Sequence, residues 1–473
     1  MNYTSPGQRK TFAEFRAHWR AVAPELDADE VLLGADGPLG REIEIAGRRL
    51  ANRFAIHPME GWDGTAGGLP TVHTLRRWRN FGRSGAKLIW GGEAFAVQED
   101  GRANPQQLYL NDGVDVAGGL AQLLAELRAG HSAVGEDPSG LFVGLQLTHS
   151  GRFARPDKAA PRIAWHNPRL AGRFGVSADM SPLSDGELEG IAARYVRAAT
   201  VAHAVGFDFV DVKCCHGYLM HELLGATGRE GPYGGSFENR TRLFRGIIEG
   251  IRSACPGLEI GVRVSIADIA PHAPDPESQI GQPSTSPPGG FGVDPADPIG
   301  IDLSEGRRFL ALLQELNVRL VNLTLGSPYT CPHLQRPAAY PPSDGYQPPR
   351  DPLCEVATHI EVARACSAAF PELVFVGTGY TYLQQWLPHV AQHEVGGGHV
   401  DFVGLGRMAL SYPELPLDVL RGNSLARKKI CRTFSDCTTA PRNGLLSGCY
   451  PLDDHYRELP EAALLREIKQ ARP

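Results

Sequence analysis

The sequence predicts a (β/α)8 TIM barrel, and three observations support this fold class. Eight short apolar runs alternate with longer amphipathic segments between residues 54 and 406. The runs are rich in Val, Ile, Leu and Phe, which is typical of buried parallel strands, and eight β–α units close a barrel. Glycine-rich turns follow the last two runs, at residues 377–379 and 404–407. An open doubly wound sheet is the alternative, but paired phosphate-binding turns after strands seven and eight favour the barrel.

Each apolar run is short enough for one strand, and amphipathic segments fill the intervals. Residues 238–254 place five apolar side chains along one helical stripe, and residues 304–317 do the same. The eight predicted strands lie within residues 54–59, 86–93, 142–149, 209–215, 259–266, 319–326, 373–379 and 400–406.

Composition excludes several classes of protein. The 473 residues are 42% hydrophobic and 21% charged, ordinary values for a globular chain with a sizeable core. The formal net charge of −6 argues against a nucleic-acid partner, which calls for a basic surface. No apolar run approaches the ~18 residues that span a bilayer, and the N-terminus lacks the apolar core of a signal peptide. We therefore expect a cytoplasmic protein with no membrane partner.

The pattern divides the chain into three regions. Residues 1–38 form an N-terminal extension, 39–427 the barrel and 428–473 a C-terminal tail. An amphipathic helix within 11–26 is expected to pack beneath the barrel or against another subunit. The sequence leaves the oligomeric state open, a homo-oligomer included.

Two long loops are rich in proline. Residues 268–302 and 327–352 contain eight prolines each and follow the predicted strands five and six. In a barrel both loops lie at the catalytic face, and loops of this length usually have a functional reason. The sequence therefore predicts lids over a pocket, and aromatic contact surface for such a lid is available at Tyr329, Tyr340 and Tyr346.

Six segments together resemble the old yellow enzyme family of FMN-dependent ene-reductases, and more loosely the barrel half of 2,4-dienoyl-CoA reductases. Their order and spacing agree over residues 39–421. The resemblance implies FMN in the barrel and hydride transfer from NAD(P)H, through flavin N5, to an activated C=C bond of a small unsaturated carbonyl compound. The segments are NRFAIHPM (52–59), GLQLTHSGR (144–152), CCHGYLMHELL (214–224), YGGSFENR (233–240), GVRVS (261–265) and GLGRM (404–408).

FMN needs a phosphate site, a polar cradle for its pyrimidine edge and positive charge near N1 when it is reduced. The backbone at Gly379 and Gly406, with the side chain of Arg407, is predicted to bind the phosphate. The amide of Gln146 matches the pyrimidine edge, and Arg263 is a permanent cation that favours the anionic reduced flavin. The alternative is that Gln146 and Arg263 are structural and hydrogen-bond only to other polar side chains inside the barrel. The resemblance also implies contacts to the isoalloxazine ring from Pro58, Met59, Glu60 and Ala94.

The predicted catalytic residues are Lys213, His216 and Tyr218. The resemblance implies that the side chains at 213 and 216 bind the substrate's carbonyl oxygen and stabilise the enolate that forms as hydride reaches the β-carbon. Tyr218 matches the family's proton donor to the α-carbon, which is a general-acid role.

Three positions depart from the family's pattern. Lys213 stands where His or a neutral group is common, and its ammonium suits an oxyanion, a carboxylate or an enolised substrate. Glu60 stands where Thr or Cys is usual, and a carboxyl near flavin C4=O must be protonated or paired. Trp62 occupies a position often held by Tyr and is expected to reshape the substrate pocket. The predicted substrate-binding residues are therefore Trp62, Lys213 and His216.

These departures leave other functions open. One alternative keeps FMN and oxidises an amine or an alcohol. A second is a flavin-free lyase in which Lys213 forms a Schiff base with substrate. A third is a non-enzymatic flavoprotein. A protein that only binds flavin does not require a positioned proton donor such as Tyr218 beside His216, which argues against this third alternative.

Three cysteines lie in the tail, at Cys431, Cys437 and Cys449. Dienoyl-CoA reductase-like enzymes bind a [4Fe–4S] cluster through C-x2-C-x3-C-x11-C, and here only the last spacing is kept. The first two ligand positions hold Ile430 and Thr433, so three thiols are offered where four thiolates are the requirement. We expect structural thiols and no metal; an iron–sulfur cluster and a Cys3His zinc site with His455 are the remaining alternatives.

Overall fold

The computed structural model describes residues 3–157, 160–284 and 290–471. Its centre is a closed barrel of eight parallel strands, which confirms the predicted fold class. Each strand pairs with its neighbour in chain order, and the last returns to the first. The strands are β1 Phe54–Ile56, β2 Leu88–Ile89, β3 Phe142–Thr148, β4 Phe209–Val212, β5 Glu259–Ser265, β6 Leu320–Thr324, β7 Val374–Gly377 and β8 Phe402–Leu405.

The second strand is interrupted and then resumes. Gly91 and Gly92 have φ angles of 123° and 44°, a region that favours glycine. The chain then continues as Ala94–Ala96, which pairs with β3 from Ala94 opposite Gln146 onwards. This kink turns residue 93 away from the regular ladder, which matters for the site described below.

Helices surround the barrel and pack against the strands, and their apolar stripes are buried as predicted. One predicted helix, 238–254, is divided: Phe237–Arg240 ends at Thr241, whose Oγ1 donates to the carbonyl of Phe237 (2.8 Å). The principal helices are α1 Val72–Gly82, α2 Val116–Ala133, α3 Asp185–Val205, α4 Arg242–Ala254, α5 Ser304–Glu315, α6 Pro352–Ala369 and α7 Leu387–Gly396.

A hairpin closes the bottom of the barrel. Its strands, Ile43–Ile45 and Arg48–Leu50, pair antiparallel, and Ile45 and Leu50 join an apolar cluster with Trp90 inside the barrel. Because this end is filled with apolar side chains, polar chemistry is confined to the carboxyl ends of the strands.

The N-terminal helix, Phe12–Val22, lies on the flank of the barrel rather than beneath it. Its Phe15 and Trp19 are fully buried, and Phe15 stacks on Trp386 with ring centroids 5.1 Å apart. Contacts to α6 continue the same surface. The amphipathic stripe of this segment therefore finds its partner within the same chain.

The two proline-rich loops behave differently. The loop after β5 carries a small antiparallel pair, His272–Pro274 with Gly281–Pro283, and none of its described residues lines the main cavity; 285–289 lie outside the described residues. The predicted lid role is therefore wrong for the described part of this loop. The loop after β6 does line the cavity, and Ile280 pairs with Gln347 to hold the first loop against the second.

Within its described residues, 428–471, the tail forms three helices, Asp436–Arg442, Asp454–Arg457 and Glu461–Gln470. A bidentate ion pair between Arg76 of α1 and Asp453 connects the tail to the barrel (2.8 and 2.9 Å). Among the helices that the structure describes, none is long and apolar enough to cross a bilayer.

Candidate active site

A cavity of about 260 Å³ opens at the carboxyl ends of the barrel strands. Its walls come from the ends of β1, β3, β4, β5, β7 and β8, from the loop after β6 and from the tail. Of the predicted site residues, only Ala94 does not line it; its carbonyl accepts from Gln107 Nε2 (2.6 Å). The predicted residues that do line it are Pro58, Met59, Glu60, Trp62, Gln146, Lys213, His216, Tyr218, Arg263, Gly379, Gly406 and Arg407.

The turn after β4 presents three of these side chains. His216 has a φ of 66° and Gly217 a φ of 78°, so the chain reverses sharply between Lys213 and Tyr218. The backbone N–H of His216 donates to Ser265 Oγ (3.1 Å), and Ser327 Oγ donates to the carbonyl of His216 (2.8 Å). The turn is therefore held by residues that follow β6 as well as by the end of β5.

Three oxygen atoms meet above this turn. The phenol of Tyr218 donates to Glu60 Oε2 (2.6 Å) and lies 3.2 Å from the hydroxyl of Tyr329. Burial raises the pKa of Tyr218 well above its ordinary value, and the neighbouring Glu60 and Tyr329 raise it further. Tyr218 therefore holds its proton at neutral pH, as a general acid must.

Lys213 faces the same oxygens. Its Nζ lies 3.9 Å from Glu60 Oε2 and 3.8 Å from the centre of the Tyr218 ring, and its side chain is only 3% exposed. Burial lowers the pKa of this amine, while Glu60 acts in the opposite direction. Since no described acceptor lies within hydrogen-bond distance of Nζ, its N–H groups remain available to a ligand.

His216 is less free. Its Nε2 lies 3.0 Å from Gln335 Nε2, on the short helix Pro332–Gln335 of the loop after β6. Burial, together with the charges of Arg263 and Lys213, holds the pKa of His216 well below its ordinary value. The imidazole is therefore neutral, and Lys213 supplies the positive charge at this end of the cavity.

A buried polar group lies deeper in the barrel around Asp211, which the sequence analysis did not single out. Asp211 accepts from Gln146 Nε2 (2.6 Å), Trp90 Nε1 (2.8 Å) and the backbone N–H of Arg263 (2.7 Å). Burial raises its pKa to about 6. Because Asp211 accepts one N–H of the Gln146 amide, the carbonyl oxygen and the second N–H of that amide are left for a ligand.

Two predicted cations are incompletely partnered. Arg263 is buried; among the described residues its Nε has no hydrogen-bond partner, and its Nη1 reaches only the carbonyl of Pro58 at 3.5 Å. Arg407 donates from Nη2 to the carbonyl of Pro337 (2.7 Å), while its buried Nη1 has no partner in the part of the chain that the structure describes. Unsatisfied buried donors are costly, so both guanidinium groups are suited to an acceptor supplied by a ligand.

Arg336 adds a third cation that the sequence analysis missed. Burial and the nearby charges of Arg407 and Arg442 lower its pKa to about 9, and its Nη1 donates to Thr438 Oγ1 of the tail. In the sequence, the one feature that pointed to Arg336 was its position in the loop after β6. Beside this cluster, a Cβ added at Gly406 would meet no atom within 4 Å, which leaves room for an anion.

A buried ionic network supports the segment that carries Glu60. Arg77 of α1 pairs with Asp63 (2.9 Å) and with Glu93 (2.7 Å), the residue displaced by the kink in the second strand. Glu93 also accepts from the backbone N–H of Gly61 (3.0 Å). Burial raises the pKa of Glu93 to about 7. The network ties α1 and β2 to the loop after β1.

The tail reaches the site from above. Ser447 Oγ accepts from the backbone N–H of Trp62 (3.0 Å), and the guanidinium of Arg442 lies 4.8 Å from the ring centre of Tyr329 while pairing with Asp344. Sequence reasoning treated this segment only for its cysteines.

The tail cysteines line one small cavity with Arg407. Burial raises the pKa of Cys431 to about 11 and that of Cys449 well above its ordinary value. In the described part of the chain, no group of three or more His, Cys, Asp or Glu side chains is arranged to hold a metal ion. His455 contacts His73 (3.2 Å) and is not among the residues that line this cavity. The three thiols therefore do not fit a four-thiolate cluster.

The donor set of the main cavity does fit FMN. Arg407, Arg336 and the open space at Gly406 suit a phosphate, Arg263 suits an anionic ring edge, and the carbonyl of Gln146 suits a ring N–H. These residues would hold the cofactor at the strand ends, where barrel enzymes place their sites.

Comparison with known proteins agrees with this geometry. The sequence profile of the NADH:flavin oxidoreductase / NADH oxidase family matches residues 39–276, half of the chain. The chain belongs to this family of oxidoreductases. The resemblance inferred from the six segments is thereby confirmed. Among curated relatives, the NADPH dehydrogenase of Bacillus subtilis is 29% identical over 248 residues, which cover 50% of this chain and 67% of that protein.

The match to curated relatives is partial: the NADH:flavin oxidoreductase of Gibberella zeae is 32% identical over 244 residues, and the chain spans 56% of its length. Solved structures show the same fold. A 2-naphthoyl-CoA reductase complex superposes with a TM-score of 0.64 at 16% identity, over 89% of this chain and 57% of that one. An old yellow enzyme homologue from Zymomonas mobilis superposes with a TM-score of 0.56 at 18% identity, over 82% of this chain and 94% of that one.

Proposed function

We propose that this chain is an FMN-dependent oxidoreductase that passes hydride from NADH or NADPH to the activated C=C bond of a small unsaturated carbonyl compound. The observation that carries the proposal is the convergence of Lys213 Nζ, free of hydrogen bonds in the described residues, and the buried phenol of Tyr218 on one cavity that also fits FMN. Bound FMN would supply hydride from N5 to the β-carbon of the substrate.

The chain's own side chains would do the rest. Lys213 donates to the carbonyl oxygen and stabilises the negative charge that develops there. Tyr218 delivers a proton to the α-carbon. Tyr329 and Trp62 line the cavity and offer aromatic surface for a planar substrate, and Phe153 supports the ring of Tyr329 by stacking on it at 3.9 Å between centroids.

Oxidation of an amine by the same flavin is less well supported. A cationic substrate would have to bind beside the buried ammonium of Lys213, which repels it. A Schiff base at Lys213 is a separate reaction, and borohydride trapping with a carbonyl substrate followed by mass spectrometry tests it directly.

The test is anaerobic stopped-flow absorbance of the flavin. We expect the bands of the purified protein to bleach on mixing with NADPH and to return on mixing with 2-cyclohexenone, but not with acetaldehyde as a saturated control. Bleaching of the oxidised protein by benzylamine or cyclohexanol would instead favour the dehydrogenase. A protein that FMN cannot reconstitute would overturn the proposal.

A further inference from the structure

Glu60 is a titratable group that the reaction above does not use. It lies in the loop after β1, and its Oε2 is 2.6 Å from the phenol oxygen of Tyr218 and 3.9 Å from Lys213 Nζ. Its side chain is 16% exposed, whereas those of Lys213 and Tyr218 are 3% exposed. Of the three, Glu60 is therefore the most exposed.

Proton donation by Tyr218 alone has an electrostatic problem. It would leave a tyrosinate 2.6 Å from Glu60, in a buried place where like charges repel strongly. If Glu60 is ionised, two adjacent anions result. If Glu60 carries a proton, the same short contact can pass that proton to the phenolate, and only one anion is formed.

We propose that Glu60 is a further catalytic residue, the proton source that reloads Tyr218 during turnover; this rests on the proposed function. The phenol O–H of Tyr218 breaks as the C–H bond forms at the substrate's α-carbon. The carboxyl O–H of Glu60 breaks as the phenol O–H re-forms. The negative charge ends on Glu60, which then takes a proton from water in the cavity.

The surroundings of Glu60 suit this role. Lys213 faces the carboxylate that the transfer creates and stabilises it. Tyr218, in the turn after β4, and Tyr329, in the loop after β6, both face the carboxyl of Glu60. The guanidinium of Arg442, from the tail, lies over the ring of Tyr329. These groups include one cation in direct reach of Glu60 and no second carboxylate among its described hydrogen-bond partners.

The first test compares Glu60→Gln with Glu189→Gln. Glu189 is a matched control because it also accepts from a tyrosine hydroxyl, that of Tyr233 (3.1 Å), and does not line the cavity. With prereduced protein, the rate of reoxidation by 2-cyclohexenone should fall with rising pH in the wild type. In Glu60→Gln it should be slower by about 10²-fold at low pH and independent of pH.

A second readout needs no turnover. It uses an oxyanion probe, 4-nitrophenolate, bound beside Lys213 of the oxidised holoenzyme, where its negative charge would lie close to the carboxyl of Glu60. Calorimetry in two buffers of different ionisation enthalpy should therefore show proton uptake on binding in the wild type and in Glu189→Gln, but not in Glu60→Gln. Glu60→Asp, which keeps the carboxyl, should retain both the uptake and the pH dependence even if the amide variant loses FMN.

The outcomes separate the two proposals. A Glu60→Gln protein with the wild-type rate and pH profile, or with unchanged proton uptake, overturns the relay while leaving ene reduction intact. A wild type that is not reoxidised by any enone overturns the proposed function instead, whatever the proton uptake shows.

Discussion

Replacing Tyr218 with Phe tests the acid directly, because the change removes one oxygen and little else. The ring packs against Phe153 (centroids 6.3 Å apart) and Tyr329 (6.2 Å), and those contacts remain in the variant. The lost hydroxyl leaves Glu60 without its phenol donor, and Glu60 keeps contact with the cavity. A hydrogen bond of this kind contributes about 1 kcal/mol to stability, so the variant should fold.

The kinetic effect should be larger than the effect on stability. General acid catalysis contributes at least about 10²-fold, which corresponds to about 2.7 kcal/mol of barrier. We expect reduction of the flavin by NADPH to stay within about 2-fold of wild type, because that step requires no proton from Tyr218. Reoxidation by 2-cyclohexenone should slow by about 10²-fold or more.

The two half-reactions are measured separately by anaerobic stopped-flow absorbance. Tyr380→Phe is the matched control: its hydroxyl is also buried, it has no partner in the described residues, and it does not line the cavity. Equal slowing of both half-reactions would indicate a disturbed flavin site. Reoxidation at the wild-type rate would refute the assignment of Tyr218 as the proton donor.

Three further predictions concern the cofactor site and its support. Arg407→Gln should weaken FMN binding by about 10- to 100-fold, measured by fluorescence of released flavin, whereas Arg83→Gln, in a half-exposed ion pair, should not. Arg77→Met should lower the free energy of unfolding in urea by about 3–5 kcal/mol because it leaves two carboxyls buried without their cation; the exposed Arg421→Met should cost less than about 1 kcal/mol. The pKa of Glu93 is raised from 4.5 to about 7, so its contribution to stability is full below pH 4.5 and is lost as pH rises towards 7; Glu93→Gln should flatten the stability profile in that window.

The barrel and most of the site were predictable from sequence because both depend on short, local signals. A parallel strand buried on both faces is a run of apolar residues, and each of the eight runs became a strand. The positions of Lys213, His216 and Tyr218 followed from one motif after the fourth run. Motif residues at strand ends meet because the barrel brings all carboxyl ends to one face.

The residues that were missed act through long-range contacts. Arg336 lines the cavity because the loop after β6 folds back over the barrel mouth, where Thr438 of the tail accepts its hydrogen bond. Arg77 and Asp211 look like ordinary helix and strand residues, and the ionic partners of the first and the hydrogen-bond partners of the second are set by the closure of the barrel. The loop after β5 resembled its neighbour in proline content, but it pairs with that neighbour through Ile280 and Gln347, and none of its described residues lines the cavity.

The charges of the cavity connect the cofactor with the substrate class. Arg336 and Arg407 lie where a phosphate would bind, and Arg263 lies where the reduced flavin would carry its negative charge, so bound FMN would satisfy all three cations. The charged groups that remain are the amine of Lys213 and the carboxyl of Glu60, whose Nζ and Oε2 atoms lie 3.9 Å apart. A substrate that arrives neutral leaves this pair balanced. Negative charge that develops on its oxygen is then stabilised by Lys213. A substrate that carries a fixed charge would instead upset the balance between Lys213 and Glu60 as soon as it binds. We therefore expect a neutral carbonyl compound.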